Sequence, residues 1–297
     1  MPKKKSWMEL AREDYLFARQ VDGLSPKTLE LYSHVTKLLV DFVGEEELST
    51  KLMRRFFANL ADTRNKTTIF IYYRTIKTFI RFLLREGYIT DNPLTNIKVA
   101  KPKDKFPFIL SEKEVGLLLK AAKQSRSGIR NYCIVIFLID TGVRVSELAG
   151  LTLDDIDLNS RCAKVTGKGN KDRLVFFNPH VARAISAYID VRRAPVYENA
   201  FLVGIRDLPL TACGIQQMIR RLARKAGLDG KRVSPHTLRH CFGTYFLKES
   251  GDPFTLQELL GHSTMSTTRL YINMSKRDFS DLHLKASPAA RVLRESR

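Results

Sequence analysis

Residues 98–107 read KVAKPKDKFP. Two prolines interrupt helix and sheet alike, and the lysines keep the stretch in water. It reads as an extended linker between two patterned regions, which makes a chain of 297 residues two domains rather than one. Its positive charge suits either a path along a phosphate backbone or a solvated hinge with no contact.

On the N-terminal side the sequence reads as helices. Ser25-Pro26 is an N-cap followed by proline at the first helical position, with Leu29, Tyr32, Leu39 and Phe42 as a loose apolar stripe. From Glu45 to Asp62, Leu48, Leu52, Phe56 and Leu60 recur at a spacing of four. Thr67 to Glu86 is a long aromatic-rich helix carrying Phe70, Tyr73, Ile76, Ile80, Leu83 and Leu84, stopped by Gly87. The expectation is a small all-helical bundle with Lys and Arg on its outer faces.

On the C-terminal side Ser111-x-x-Glu114 is a capping box. An apolar helix runs from Asn131 to Asp140 and ends at Thr141-Gly142, and a second starts near Arg144 and ends near Gly150. Cys162–Thr166 and Arg173–Phe177 read as two short strands joined by the turn Gly167-Lys168-Gly169-Asn170-Lys171. Helices return from His180. Ser234-Pro235 launches one through about Lys248, and Gly251-Asp252-Pro253 and Gly261 bound further short ones. The fold class is therefore mainly α with a small antiparallel hairpin.

Composition narrows the function. Hydrophobic residues make up 44%, which rules out wholesale disorder. No apolar run reaches the roughly 18 residues of a membrane span. The start MPKKKSW has no apolar signal region behind it, and the four cysteines are far apart with no CxxC pair. These features predict a cytoplasmic protein with neither a disulfide framework nor a zinc site. The net charge of +19 is spread over both regions, and a polyanion such as nucleic acid is the partner that relieves it. A merely soluble basic protein shares the same composition.

Five separated segments carry unusual polar residues: TGVRVSEL (141–148), GKGNK (167–171), HTLRH (236–240), LLGH (259–262) and Tyr271. His236 and Arg239 stand three apart, on one face of a helix, near its start. An imidazole beside a guanidinium there suits an oxyanion or phosphate. In order and spacing these segments resemble the tyrosine recombinase family of site-specific DNA recombinases, the Xer proteins and the phage or transposon integrases. The resemblance covers nearly the whole chain and is nearest to Xer-type members. It implies a SAM-like core-binding domain that clamps DNA at 1–97, a basic linker at 98–110, a catalytic domain at 111–275 and a tail at 276–297 for contact between protomers.

The resemblance also assigns roles. Arg144 and Arg239 clamp the non-bridging oxygens of a phosphodiester as charge builds there. Tyr271 is the nucleophile, and its phenol, with an ordinary pKa of about 10, needs help to lose its proton. His236 is the general base in cleavage and the acid in the reverse step. Lys168 protonates the departing 5′ oxygen, being favoured over Lys164 and Lys171 by its flanking glycines. His262 hydrogen-bonds the phosphate. Glu147 orients a neighbouring group, His240 packs structurally, and Arg173 and Arg269 are DNA-backbone or structural residues. The product is a covalent 3′-phosphotyrosine and a free 5′ hydroxyl. Neither metal, cofactor nor ATP is called for. Four protomers, identical or shared with a related recombinase, exchange strands through a four-way junction at paired duplex sites, on the nucleoid. A catalytically silent DNA-binding protein and a type IB topoisomerase-like relaxase are the competing readings.

Overall fold

The computed structural model describes residues 6–102, 107–167, 169, 171–193, 199–204, 207–250, 252–261 and 268. The chain divides into two compact units, Met1–Lys105 and Phe106–Arg297.

The first unit holds α1 (Trp7–Val21), α2 (Pro26–Val43), α3 (Thr50–Thr63) and α4 (Lys66–Arg85). Each starts at a side-chain cap: Ser6 with Glu9 in a capping box, Ser25, Ser49 and Asn65. Their inward faces meet in one apolar cluster around Tyr15, Leu39, Met53, Ile76 and Phe79. α3 begins at Thr50, not Glu45, because Ser49 accepts from the amide of Leu52 and leaves the acidic run 45–47 outside. Its buried face is Leu52, Met53, Phe56 and Phe57, while Leu48 and Leu60 are only partly buried. The reason is geometric: steps of four advance past a full turn, so a strict spacing of four drifts off the core face that alternating steps follow. In α4 the expected Ile76, Ile80 and Leu83 are buried, joined by Tyr72, Phe79 and Phe82, while Phe70, Tyr73 and Leu84 are half-buried.

The second unit contains α5 (Glu112–Lys123), α6 (Gly128–Thr141), α7 (Val145–Ala149), a sheet, α8 (Pro179–Val191), α9 (Ala212–Lys225), α10 (Pro235–Ser250) and α11 (Pro253–Leu260). The Ser111–Glu114 capping box opens α5, and Ser234 accepts from the amide of Thr237 at the start of α10. The sheet has three antiparallel strands rather than two: β1 (Ile156–Asp157), β2 (Cys162–Thr166) and β3 (Asp172–Phe176). Two residues are too few for alternation to reveal β1. In the β2–β3 register Val165 faces Arg173 and Ala163 faces Val175.

α6 is the buried centre of this unit, with Cys133 to Leu138 almost wholly inaccessible. It ends at Gly142, whose φ of +61° and close neighbour demand glycine: a methyl there would lie 2.3 Å from Cδ1 of Phe242. α11 ends likewise at Gly261, φ +62°. Among the described residues no helix is long and apolar enough to cross a membrane, and the four cysteines are free.

Candidate active site

Arg144 is the N-cap of α7, so its backbone is extended and its side chain leaves the end of the helix. Glu147, one turn on, accepts from the Arg144 amide at 2.8 Å and from Nη1 of Arg144 at 2.7 Å. Arg173 of β3 reaches the same carboxylate with two parallel bonds of 2.9 Å, Nη1 to Oε1 and Nη2 to Oε2. The Glu147 side chain is 1% exposed. Burial alone pushes its carboxyl up, but the bonds from Arg173 and Arg144 outweigh this and hold it below the usual range. It is an ionised carboxylate between two guanidinium groups.

Arg239 of α10 is 3% exposed and crosses two helix ends. Its Nη1 donates to the carbonyl of Gly142 at 2.6 Å and its Nη2 to that of Leu260 at 2.7 Å. The C-termini of α6 and α11 both present orphan carbonyls and the negative end of a helix dipole there, which is where a buried cation is least costly. Arg144 Nη2 lies 3.4 Å from the next carbonyl, that of Gly261.

Arg144, His236 and Arg239 line one cavity of about 280 Å³, together with Gln216, Arg220 and Ser234. His236 is depressed below the ordinary imidazole value, first by burial and then by the charges of Arg239 and Arg144. It is therefore neutral at physiological pH and free to accept a proton. The His240 ring stands 5.2 Å from it, one turn on, and is pushed down to about 4 by burial, His236 and Arg239. A second cavity of about 380 Å³ shares His236, Arg220 and Ser234 and adds His240, while those of about 430 and 620 Å³ contain none of Arg144, His236 and Arg239.

Three of the six motif residues are thus brought together. Lys168, His262 and Tyr271 lie outside the described residues, as do Arg269 and the tail 276–297. Their points of departure are described. Gly167 closes the hairpin turn by donating to the carbonyl of Lys171 at 2.8 Å, and a methyl at Gly167 would sit 3.4 Å from Oε1 of Glu147. The chain leaves α11 at Gly261, beside Arg144 and Arg173. Of the competing lysines, Lys164 pairs with Asp155 at 3.8 Å and Lys171 is exposed.

Two residues in this cavity carried no motif. Gln216 and Arg220 stand one turn apart on α9, whose exposed face also carries Arg221 and Arg224. That basic amphipathic pattern was the available signal. Arg173, open between a DNA-backbone and a structural reading, has its guanidinium inside the protein.

Residues 109–278 match the Phage integrase family. The chain is 31% identical to tyrosine recombinase XerD of Staphylococcus haemolyticus over 296 residues, covering 95% of this chain and 100% of the relative. It is 31% identical to tyrosine recombinase XerC of Pelobacter propionicus, covering 96% and 97%. Among solved structures, XerA recombinase aligns at 29% identity with a TM-score of 0.55 over 95% of this chain and 99% of that one. XerH recombinase in a post-cleavage complex with a palindromic difH substrate aligns at 21% identity with a TM-score of 0.74, over 89% and 80%, a likeness of fold.

Proposed function

The chain belongs to the phage integrase family of tyrosine recombinases, and from that premise we propose how its residues divide the work of site-specific strand exchange in duplex DNA. The observation that carries the reading is the convergence of Arg144 with His236 and Arg239, from two stretches about ninety residues apart, on one cavity.

A phosphodiester seated there meets two guanidinium groups. As the Tyr271 oxygen attacks phosphorus, negative charge grows on the two non-bridging oxygens, and donors already aimed at them stabilise the transition state without reorganising. The Tyr271 proton passes to neutral His236. The bond from phosphorus to the 5′ oxygen breaks, and Lys168 supplies the proton that makes this oxygen a hydroxyl. His262 donates a hydrogen bond to the phosphate. The 3′-phosphotyrosyl ester keeps the bond energy, so a 5′ hydroxyl from a second duplex attacks it with no ATP, giving its proton to Lys168 as the bond from phosphorus to Tyr271 breaks and His236 returns its proton to the tyrosine.

The helical domain at 1–97 is the DNA clamp, with residues 98–110 as the basic linker and 111–275 as the catalytic domain. The tail 276–297, with Phe279, Leu282 and Leu284, docks on a neighbouring protomer; the apolar groove of about 620 Å³ lined by Phe242, Tyr245 and Phe246 is a receptor of suitable chemistry. Four copies, or two with two of a related recombinase, then hold paired sites on the nucleoid in the cytoplasm.

The test uses nicked duplexes of randomised sequence, in which a cleaved strand loses its short end and cannot religate. The protein is expected to yield an SDS-resistant adduct mapping to Tyr271, and Tyr271→Phe none. Absence of any adduct sinks the reading in favour of a silent binding protein. An adduct accompanied by relaxation, but by no exchanged products once the recovered site is supplied in two copies, favours a relaxase.

A further inference from the structure

The last three carbonyls at the end of α11 are each taken by a different arginine. Leu259 accepts from Nε of Arg173 at 3.1 Å, Leu260 from Nη2 of Arg239 at 2.7 Å, and Gly261 from Nη2 of Arg144 at 3.4 Å. These are the orphan acceptors of a helix C-terminus, and they carry its partial negative charge. Two of the three arginines line the cavity in which the phosphate is placed. The third does not. Arg173 commits Nε to Leu259 and both Nη atoms to the buried Glu147 carboxylate, and its side chain is 15% exposed.

Arg173 therefore joins three pieces that chemistry needs in register. Through Glu147 it holds Arg144, since that carboxylate takes both the backbone amide and Nη1 of Arg144. Through Leu259 it holds the end of α11, from which the chain proceeds to His262 and Tyr271. Through β3, where it stands opposite Val165 in the register, it anchors one strand of the hairpin whose connecting sequence carries Lys168. Gly261 is shaped to this contact: a methyl there would lie 3.1 Å from Cδ and Nε of Arg173, at a backbone φ that already favours glycine.

We propose that Arg173 is a positioning residue for strand cleavage, acting through Glu147 on Arg144 and through Leu259 on the end of α11, and not a contact to DNA. The inference rests on the recombinase reading above. A planar fork is required, because a single ammonium cannot hold both carboxylate oxygens and a carbonyl together.

The experiment measures single-turnover adduct formation on the nicked substrate at saturating protein, with duplex affinity measured separately. Arg173→Gln is expected to slow adduct formation by about 10- to 100-fold, the cost of a displaced catalytic group, while affinity changes by less than about threefold. Arg173→Lys, which keeps the charge, is expected to stay slow. In combination with Arg144→Ala, Arg173→Gln is expected to cost less than it does alone, because its route through Glu147 ends on Arg144 and only the route through Leu259 remains. An Arg173→Gln protein that cleaves at the native rate overturns the proposal. So does a defect that multiplies fully with that of Arg144→Ala, or one confined to affinity and its salt dependence, which marks a phosphate contact. Should Arg173→Gln lower the melting temperature, Arg173→Lys must give the same kinetic pattern or the proposal fails. A native protein that forms no adduct overturns the recombinase reading itself, a result distinct from all of these.

Discussion

Among the described residues, the unit ending at Lys105 buries two polar side chains, Thr36 and Thr75, and each hydroxyl is satisfied by a carbonyl one turn back, at Tyr32 and Ile71. The unit beginning at Phe106 buries Glu147 and Arg239, both charged, and their partners come from positions as far as 97 residues away. An interior without buried charge stabilises a fold and leaves function to its surface. Buried charges contribute little net stability, since desolvation offsets their attraction, but each fixes the position of the groups around it. The contrast between the two interiors is a contrast between a scaffold and a site.

The largest effect that would break this contrast is at Arg239. Arg239→Ala is expected to slow adduct formation at saturating protein by about 100- to 1,000-fold, the usual loss when one donor to a developing oxyanion is removed. A change below tenfold would mean that Arg239 only ties α6 to α11. In the other unit, Phe79→Ala is expected to lower stability in a urea melt by about 3 to 5 kcal/mol, since Phe79 is wholly buried against Tyr15. Once folded protein is saturated with DNA, its cleavage rate should be native. A slower chemical step there would show that the helical bundle shapes the site and is more than the proposed DNA clamp.

The smallest effect is in pH. His240 in the folded chain sits at about 4, against roughly 6.5 for a free imidazole. The unfolded chain therefore holds more protons between those values. Stability is full above about pH 6.5 and declines as pH falls toward 4. His236 adds to this in the same direction. The melting temperature should fall between pH 7 and pH 5, and His240→Gln should flatten that fall. An unchanged slope would place the titrating groups elsewhere.

The helical unit was legible because its stabilisation is local in character: caps and apolar stripes repeat within each helix, although α1 with its Ser6–Glu9 capping box was not singled out, and helix ends and the drift of a four-residue spacing were misread. β1 escaped because a two-residue strand has no period to read. In the second unit the motifs stood out as odd polar residues in apolar surroundings, which is what a site looks like in a sequence. The role of Arg173 did not stand out, since a lone arginine in a strand looks the same whether it faces DNA or a buried carboxylate.

The order of residues by itself determined the mainly α architecture, the basic character, the hairpin and the three polar residues that meet in one cavity. Caps, hydrophobic periodicity and side-chain chemistry are properties of short stretches, and short stretches reveal them. Only the tertiary structure decided that Glu147 is shared between Arg144 and Arg173, that Arg239 binds two helix ends, and that Gln216 and Arg220 of α9 face His236. Those pairings join residues far apart in the chain, and it is packing, which excludes water and leaves each buried charge only the partners within reach, that selects them.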